Sequence, residues 1–344
     1  MTSIQPAQTV LVTGGTGFVA GWCIAGLLKR GYAVRATLRS PAKADAVRQA
    51  VAEQADPGGR LSFVAADLTA DAGWDEAAVG CDYVLHVASP LGYDHPKDPG
   101  ALIVPARDGT LRVLRAAVKA GVRRVVMTSS CAAVTPSVYR RGDVVDETLW
   151  SDPNDPKLDP YRKSKTIAEQ AAWRYMREHG GATTLATVLP GAVFGPLLGA
   201  DGQGSVQVIN RLLQGKVPAA PRLGFEIVDV RDLADLHLRA MTADAAAGER
   251  FIAVGEFQWM ADVARELREG LGQAARGVPT RTMPDALVRF LAVFDPSLRA
   301  LTPMLGRKYQ RTSAKARRVL GWQPRPARET VLDCAKSLIA NGLV

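Results

Sequence analysis

Tyr161 and Lys165 stand four residues apart in the run Asp159-Pro160-Tyr161-Arg162-Lys163-Ser164-Lys165. On a helix that spacing puts both side chains on one face, where an ammonium can sit beside a phenol and beside the ribose of a bound ligand. A phenol ordinarily titrates near ~10, and a neighbouring cation favours its ionised form, which brings it toward useful acid/base strength at cellular pH. Upstream, Thr128-Ser129-Ser130 closes an apolar run. A hydroxyl there can donate a hydrogen bond to a carbonyl oxygen and polarise it. Ser130 is the expected donor and Ser129 the fallback. Together these residue types suit the protonation of a carbonyl oxygen while its carbon is reduced, or the reverse.

Spacing alone does not single out the pair, because Tyr93 and Lys97 repeat it. The flanks do. Asp159 before Pro160 reads as an N-cap followed by a first-turn proline, and good helix formers continue from Thr166 to Glu178. Tyr93 lies among Gly92, Pro96, Pro99 and Gly100, where no helix keeps a four-residue register.

The elements that must position these groups are legible as a rhythm. Strand candidates are Thr9–Thr13, Ala33–Leu38, Leu61–Ala65, Asp82–Val87, Arg123–Thr128 and Thr183–Val188, separated by amphipathic stretches at Phe18–Arg30, Pro41–Gln54, Ala101–Ala120 and Pro160–His179. Strand then helix, repeated, predicts an α/β fold, a Rossmann-type doubly wound parallel sheet. After Pro190 glycine and proline become frequent. Phe225–Val230 and Arg250–Val254 then read as strands, with helices at Asp232–Met241 and Gln258–Gly270. The expected organisation is a dinucleotide-binding domain over 1–190, with 225–257 partly returning to it. A smaller, interleaved substrate-binding lobe takes 191–224 and 258–344.

Thr13-Gly14-Gly15-Thr16-Gly17-Phe18-Val19-Ala20 follows the first strand and opens the first helix. Glycine at 14 permits a tight turn, glycine at 17 lets backbone approach a pyrophosphate at the positive end of the helix, and Ala20 fills the third small position. Gly14, Thr16, Gly17, Phe18 and Val19 are therefore the expected phosphate cradle. At the end of the second strand, where a carboxylate would accept the ribose hydroxyls of NAD, the chain has Leu38 and then Arg39, with Lys43 beyond. Two cations there suit the extra phosphate of NADP, so NADPH/NADP is the expected cofactor. Asp67 and Leu68 are placed to contact the adenine, and the small residues Val87, Ala88 and Ser89 to let the ribose pass. Thr128 completes the rim. His86 is expected to be a packed strand residue rather than a base.

The 344 residues carry a net charge of +9, and Arg276 to Arg328 holds twelve basic residues against Asp285 and Asp295. Solvated helix faces account for such a run, and so does a field that draws small anionic ligands. No aromatic-interleaved basic motif points to nucleic acid. Cys23, Cys81, Cys131 and Cys334 are scattered and the four histidines form no ligand cluster, so a reduced compartment and no metal are expected. Without a leader or a run of ~20 apolar residues, the expectation is a cytoplasmic chain with no membrane partner, as a monomer or homodimer.

The chain resembles the extended short-chain dehydrogenase/reductases, and within them the dihydroflavonol 4-reductase, cinnamoyl-CoA reductase and aldehyde (ketone) reductase group. The likeness spans Val12 to Phe18 with Trp22, Val34 to Arg39, His86 to Pro90, Gly109-Thr110, Tyr161 to Lys165, Leu189 to Pro196, Val228 to Ala234 and Leu320 to Pro324. It implies catalysis by Ser130, Tyr161 and Lys165, with the last two also touching cofactor. It further implies that Pro190, Gly191 and Val193 bracket the nicotinamide carboxamide, that Arg39 and Lys43 bind NADP, and that the partner is a small-molecule carbonyl substrate. Asp232 is expected to cap a helix. Ala20 departs from the group's usual third glycine, and no flavonoid or phenylpropanoid pocket is legible after Tyr93, in Gly199–Ser205 or in Arg276–Arg311. Competing expectations are a hydroxysteroid dehydrogenase, a nucleotide-sugar epimerase, and a non-catalytic NADP(H)-sensing binding protein. Against an epimerase stand Arg39 and, against a dehydratase, Cys131-Ala132 where an acidic pair would follow the serine.

Overall fold

The computed structural model describes residues 7–90, 100–199 and 204–344. The strands are β1 (Thr9–Val12), β2 (Ala33–Leu38), β3 (Leu61–Ala65), β4 (Tyr83–His86), β5 (Arg124–Thr128), β6 (Val144–Val145), β7 (Thr184–Pro190), β8 (Ala192–Phe194), β9 (Ala220–Pro221), β10 (Gly224–Asp229), β11 (Arg250–Ala253), β12 (Phe257–Trp259), β13 (Thr282–Met283) and β14 (Gln310–Arg311). Among the described residues, one seven-stranded sheet runs in the order β11-β7-β5-β4-β1-β2-β3, every neighbour parallel. Its inner strands, such as Val125 to Met127, are buried on both faces, which is why they read as unbroken apolar runs.

Helices are α1 (Phe18–Lys29), α2 (Ala44–Ala52), α3 (Trp74–Ala78), α4 (Gly100–Lys119), α5 (Pro160–His179), α6 (Val206–Leu213), α7 (Val230–Thr242), α8 (Met260–Leu271), α9 (Asp285–Leu291), α10 (Pro296–Leu301), α11 (Ala314–Leu320) and α12 (Ala327–Ala340). One face of the sheet is covered by α1, α2 and α7 through Ile24, Leu27, Val51 and Leu233. The other is covered by α4 and α5 through Val113, Leu114, Ala168 and Ala172. Residues β2, β3 and α5 occupy the spans that the sequence predicts for them. Tyr93 and Lys97 lie outside the described residues.

A second core, built on Phe194, Ile209, Leu212, Val263, Leu267 and Val331, sits beneath a three-stranded sheet of order β12-β10-β8. Within 225–257, α7 and β11 join the main body, whereas β10 and β12 belong to this smaller sheet. The two cores are laced together. Phe18 of α1 packs on the second core, Trp22 donates its indole N–H to the Pro196 carbonyl at 2.8 Å, and β14 pairs with β6.

Asp232 does not cap α7. The strand β10 runs on to Asp229, whose carboxylate takes the cap position by accepting from the Arg231 amide at 2.8 Å. Asp232 lies in the first turn and instead binds Arg325, accepting from its backbone N–H at 2.7 Å and from both Nε and Nη2. Beside it Trp322, fully buried, donates to the Asp232 carbonyl at 2.7 Å. Trp322→Ala should lower the unfolding free energy by about 3–5 kcal/mol, read as a fall in the denaturation midpoint; a shift under about 1 kcal/mol would show that this anchor adds little.

Candidate active site

The end of β5 sends its three hydroxyls in three directions. Thr128 is taken up by the buried His237, 2.7 Å from its Nε2, while the His237 Nδ1 donates to the Leu233 carbonyl at 2.8 Å. Its hydroxyl is thus spent inside the fold under α7 rather than offered at the rim. Ser129 donates to a Glu169 carboxylate oxygen at 2.6 Å and is buried too. Only Ser130 faces the phenol. It heads the short 3-10 turn Cys131–Val134, accepts from the Ala132 amide at 3.1 Å, and hydrogen-bonds Tyr161. Between the two serines, the geometry leaves Ser130 as the one able to reach an oxygen held at Tyr161.

The helix α5 starts as the sequence predicts: the Asp159 carboxylate accepts from the Arg162 amide at 2.9 Å, with Pro160 in the first turn. Tyr161 is 36% exposed, while Lys165, one turn on, is only 6% exposed. The Lys165 ammonium lies 5.9 Å from the Tyr161 ring centroid and donates to the Ser89 hydroxyl at 2.9 Å. Proximity does not produce the expected drop in the phenol's pKa. Burial raises it, and the hydrogen bond with Ser130 only pulls it part of the way back. The phenol therefore keeps its proton at neutral pH, which suits a proton donor.

Opposite, the glycine-rich turn is built for close approach. Gly14 has φ +72°, and a Cβ there would stand 3.0 Å from the Ala88 Cβ. Its amide donates to the Thr37 hydroxyl at 2.9 Å, and no side chain caps α1, so the helix's first amides stay open to a phosphate. Thr16 and Gly17 stand in this turn, while the Val19 side chain packs on the main core and the Phe18 ring on the second. The strand β4 is pinned alongside. His86 is buried as expected, but it has partners distant in sequence: Thr13 at 2.9 Å from Nδ1 and Thr110 at 3.3 Å from Nε2. The Thr13 hydroxyl also accepts from the Ala88 amide at 3.0 Å, which fixes Val87 to Ser89.

Arg39 and Lys43 are exposed at the end of β2 and form no ion pair among the described residues. Asp67, at the end of neighbouring β3, accepts from the Thr69 amide and hydroxyl, each at 2.8 Å, and these bonds hold its carboxyl below the usual range. Leu68 packs against the site of Gly109, where a Cβ would come within 2.7 Å of it. At the far end Pro190 ends β7. A Cβ on Gly191 would stand 2.2 Å from the Glu226 carbonyl oxygen, so only glycine lets the chain pass, and Val193 pairs with Val228 beyond it.

Residues 10–255 match the NAD dependent epimerase/dehydratase family. The chain belongs to that family. The cinnamoyl-CoA reductase CAD2 of Medicago truncatula is 37% identical over 280 residues, covering 78% of this chain and 82% of that protein. Dihydroflavonol 4-reductase of Zea mays is 36% identical over 249 residues, 70% and 68% of the two chains. Among solved structures, yeast methylglyoxal/isovaleraldehyde reductase Gre2 complexed with NADPH superposes with a TM-score of 0.80 at 27% identity, covering 98% of this chain and 100% of that one.

For this epimerase/dehydratase-family chain, sequence reasoning missed Glu169 and Arg250. Glu169 extends the series Tyr161, Lys165 by one more turn of α5. Fully buried, it accepts from Ser129, from Thr187 at 2.8 Å, and from Arg250 Nε at 2.8 Å. The Arg250 guanidinium lies 3.6 Å from the Trp150 ring centroid and also donates to the Glu147 and Leu149 carbonyls. The repeated four-residue spacing was the available signal.

Burial pushes the Lys165 ammonium down from 10.5 to about 8, against a partial upward pull from Glu169. A depressed lysine pKa means that folding disfavours the charged form. The penalty is full below about 8, shrinks as pH climbs from about 8 toward 10.5, and is gone above. Lys165→Met should therefore raise the unfolding free energy at pH 7 by about 1–3 kcal/mol in denaturant titrations, offset in part by the lost Ser89 bond; a clear loss would show that the ammonium is not strained there.

Proposed function

We propose that this chain is an NADPH-dependent reductase that converts the carbonyl of an aldehyde or ketone to the alcohol. The observation that carries the proposal is the convergence of Ser130, Tyr161 and Lys165 on one rim of the sheet, facing the glycine-rich turn across β4. Its relatives are named as reductases, and the Gre2 structure holds NADPH.

The residues present fit a dinucleotide. Gly14 and the uncapped start of α1 would take the pyrophosphate, Arg39 and Lys43 the extra phosphate, Asp67 and Leu68 the adenine side, and Pro190, Gly191 and Val193 the nicotinamide side. When bound, the cofactor supplies a hydride to the substrate carbonyl carbon. Ser130 donates a hydrogen bond to the carbonyl oxygen and holds it at the phenol. Tyr161, whose hydroxyl is kept protonated by burial, gives that oxygen its proton, and the phenolate takes one back from water before the next turnover. Lys165, anchored on Ser89, presents its ammonium to the ribose and favours the phenolate left after transfer. The same groups run the oxidation in reverse. We assign substrate contacts chiefly to the lobe over 191–224 and 258–344, and place the enzyme in the cytoplasm as a monomer or homodimer. Its four cysteines are free and buried, and among the described residues no helix is long and apolar enough to cross a membrane.

Tyr161→Phe should cut turnover by about a hundredfold to ten-thousandfold while NADPH affinity, followed by fluorescence titration, is largely kept; near-wild-type turnover would remove the proposed proton donor. Arg39→Asp should shift the kcat/KM ratio toward NADH by about tenfold or more, since a carboxylate repels the phosphate that the guanidinium attracts. An unchanged ratio would assign that phosphate to other residues.

A further inference from the structure

A cleft of about 630 Å³ opens at the start of α5, lined by Arg162 but not by Tyr161 itself. Its walls come from Thr135–Tyr139, just past the 3-10 turn headed by Ser130, from Asp155–Leu158 with Arg162 at the start of α5, and from Arg289 and the stretch 302–309 of the lobe. Four cations line it, Lys157, Arg162, Arg289 and Arg307, against the single carboxylate of Asp155. Arg162 is answered in part by Asp159. Lys157, Arg289 and Arg307 form no ion pair among the described residues.

In the basic C-terminal stretch Arg311 pairs with Glu226, Lys315 with Glu249, Arg325 with Asp232 and Arg328 with Glu269. Arg276, Arg281, Arg299, Lys308, Arg317 and Arg318 are exposed and form no ion pair among the described residues. Arg289 and Arg307 are likewise without a carboxylate partner, and what distinguishes them is that they share one cleft with Lys157 and Arg162. Arg307 is nonetheless held in place: it donates to the Tyr309 hydroxyl at 3.3 Å and lies 5.4 Å from the Tyr139 ring centroid. The two tyrosine rings meet edge to face at 5.3 Å, and the Tyr139 hydroxyl is engaged with the Lys308 backbone, accepting from its N–H at 3.1 Å. The carbon skeleton of a ligand would thus lie along flat rings whose polar ends are already satisfied, with unneutralised guanidinium and ammonium groups around it.

We propose that the substrate carries, besides its carbonyl, a compact oxyanion, a carboxylate or a phosphate, which this cleft holds through Lys157, Arg289 and Arg307 while the carbonyl lies at Tyr161. The inference rests on the reductase assignment. Guanidinium forks match carboxylate and phosphate oxygens, and several like charges around one opening add their attraction for an anion. A neutral carbonyl compound of the same shape would leave those cations unanswered.

The test compares 4-carboxybenzaldehyde, its methyl ester and 4-formylphenyl phosphate, binding to the NADP⁺-loaded enzyme by titration calorimetry, so that affinity is read without turnover. At least one anion should bind about tenfold or more tightly than the ester, with the advantage shrinking as salt is added. The stronger of the two anions tells carboxylate from phosphate. In Lys157→Gln/Arg289→Gln, whose side chains are exposed and unpaired and so leave packing intact, the ratio of ester to anion Kd should fall by about threefold or more, Arg307 holding the remainder. Equal binding of ester and anions, absence of binding by all three, or a preference that the double substitution leaves undiminished would each overturn the proposal. Loss of NADPH absorbance with any aldehyde is followed separately. Its absence would count against the reductase assignment, whatever the affinity ratio shows.

Discussion

A carboxylate buried without solvent fixes where the chemistry can happen. Glu169 ties the helix that carries Tyr161 and Lys165 to the end of β5 through Ser129, to β7 through Thr187, and to β11 through Arg250. A buried ion pair adds little net stability against an apolar alternative, but breaking one by removing a single partner costs about 3–5 kcal/mol. Its consequence is positional: α5 cannot slide or roll against the sheet without unpairing a charge in the interior. Hence the face of α5 that bears the phenol stays turned toward Ser130.

Around that clamp, polar groups of the strand ends are sorted between structure and chemistry. Thr13, His86 and Thr110 close one buried chain, and Thr128 and His237 another. Burial brings His86 down to about 3 and His237 to about 4, so both stay neutral across the physiological range and act as fixed hydrogen-bonding posts rather than as bases. What remains at the rim is short: Ser89, Ser130, Tyr161 and Lys165. The strain falls on Lys165, whose charge the fold keeps in a dry place at a cost in stability.

The parts of this arrangement that obey local rules were legible in the sequence. A cap followed by proline set the start of α5, and short apolar stretches preceded by glycine set β2 and β3, because neighbours in the chain decide those features. Whatever depends on residues far apart was not. Glu169 looks like any charged residue on an exposed helix until Arg250 is brought to it, and Asp229 and Asp232 are equally good caps until the length of β10 chooses between them. The Tyr161 phenol shows the same limit: its lysine neighbour is visible in the chain, but the burial that outweighs it is not. Counting charges found the basic C-terminal stretch, and only the fold shows which of its cations meet carboxylates, which face a cleft and which lie on the surface.

The clamp is tested most directly by the single-turnover rate of NADPH oxidation in Glu169→Gln, measured with saturating aldehyde on protein shown by circular dichroism to be folded. Glutamine keeps the shape but loses the charge that holds Arg250. If Glu169 sets the angle at which Tyr161 and Lys165 meet the rim, the rate should drop by about tenfold or more although NADPH still binds. A folded variant that transfers hydride at the wild-type rate would contradict the account, leaving Glu169 a packing residue with no hold on the site.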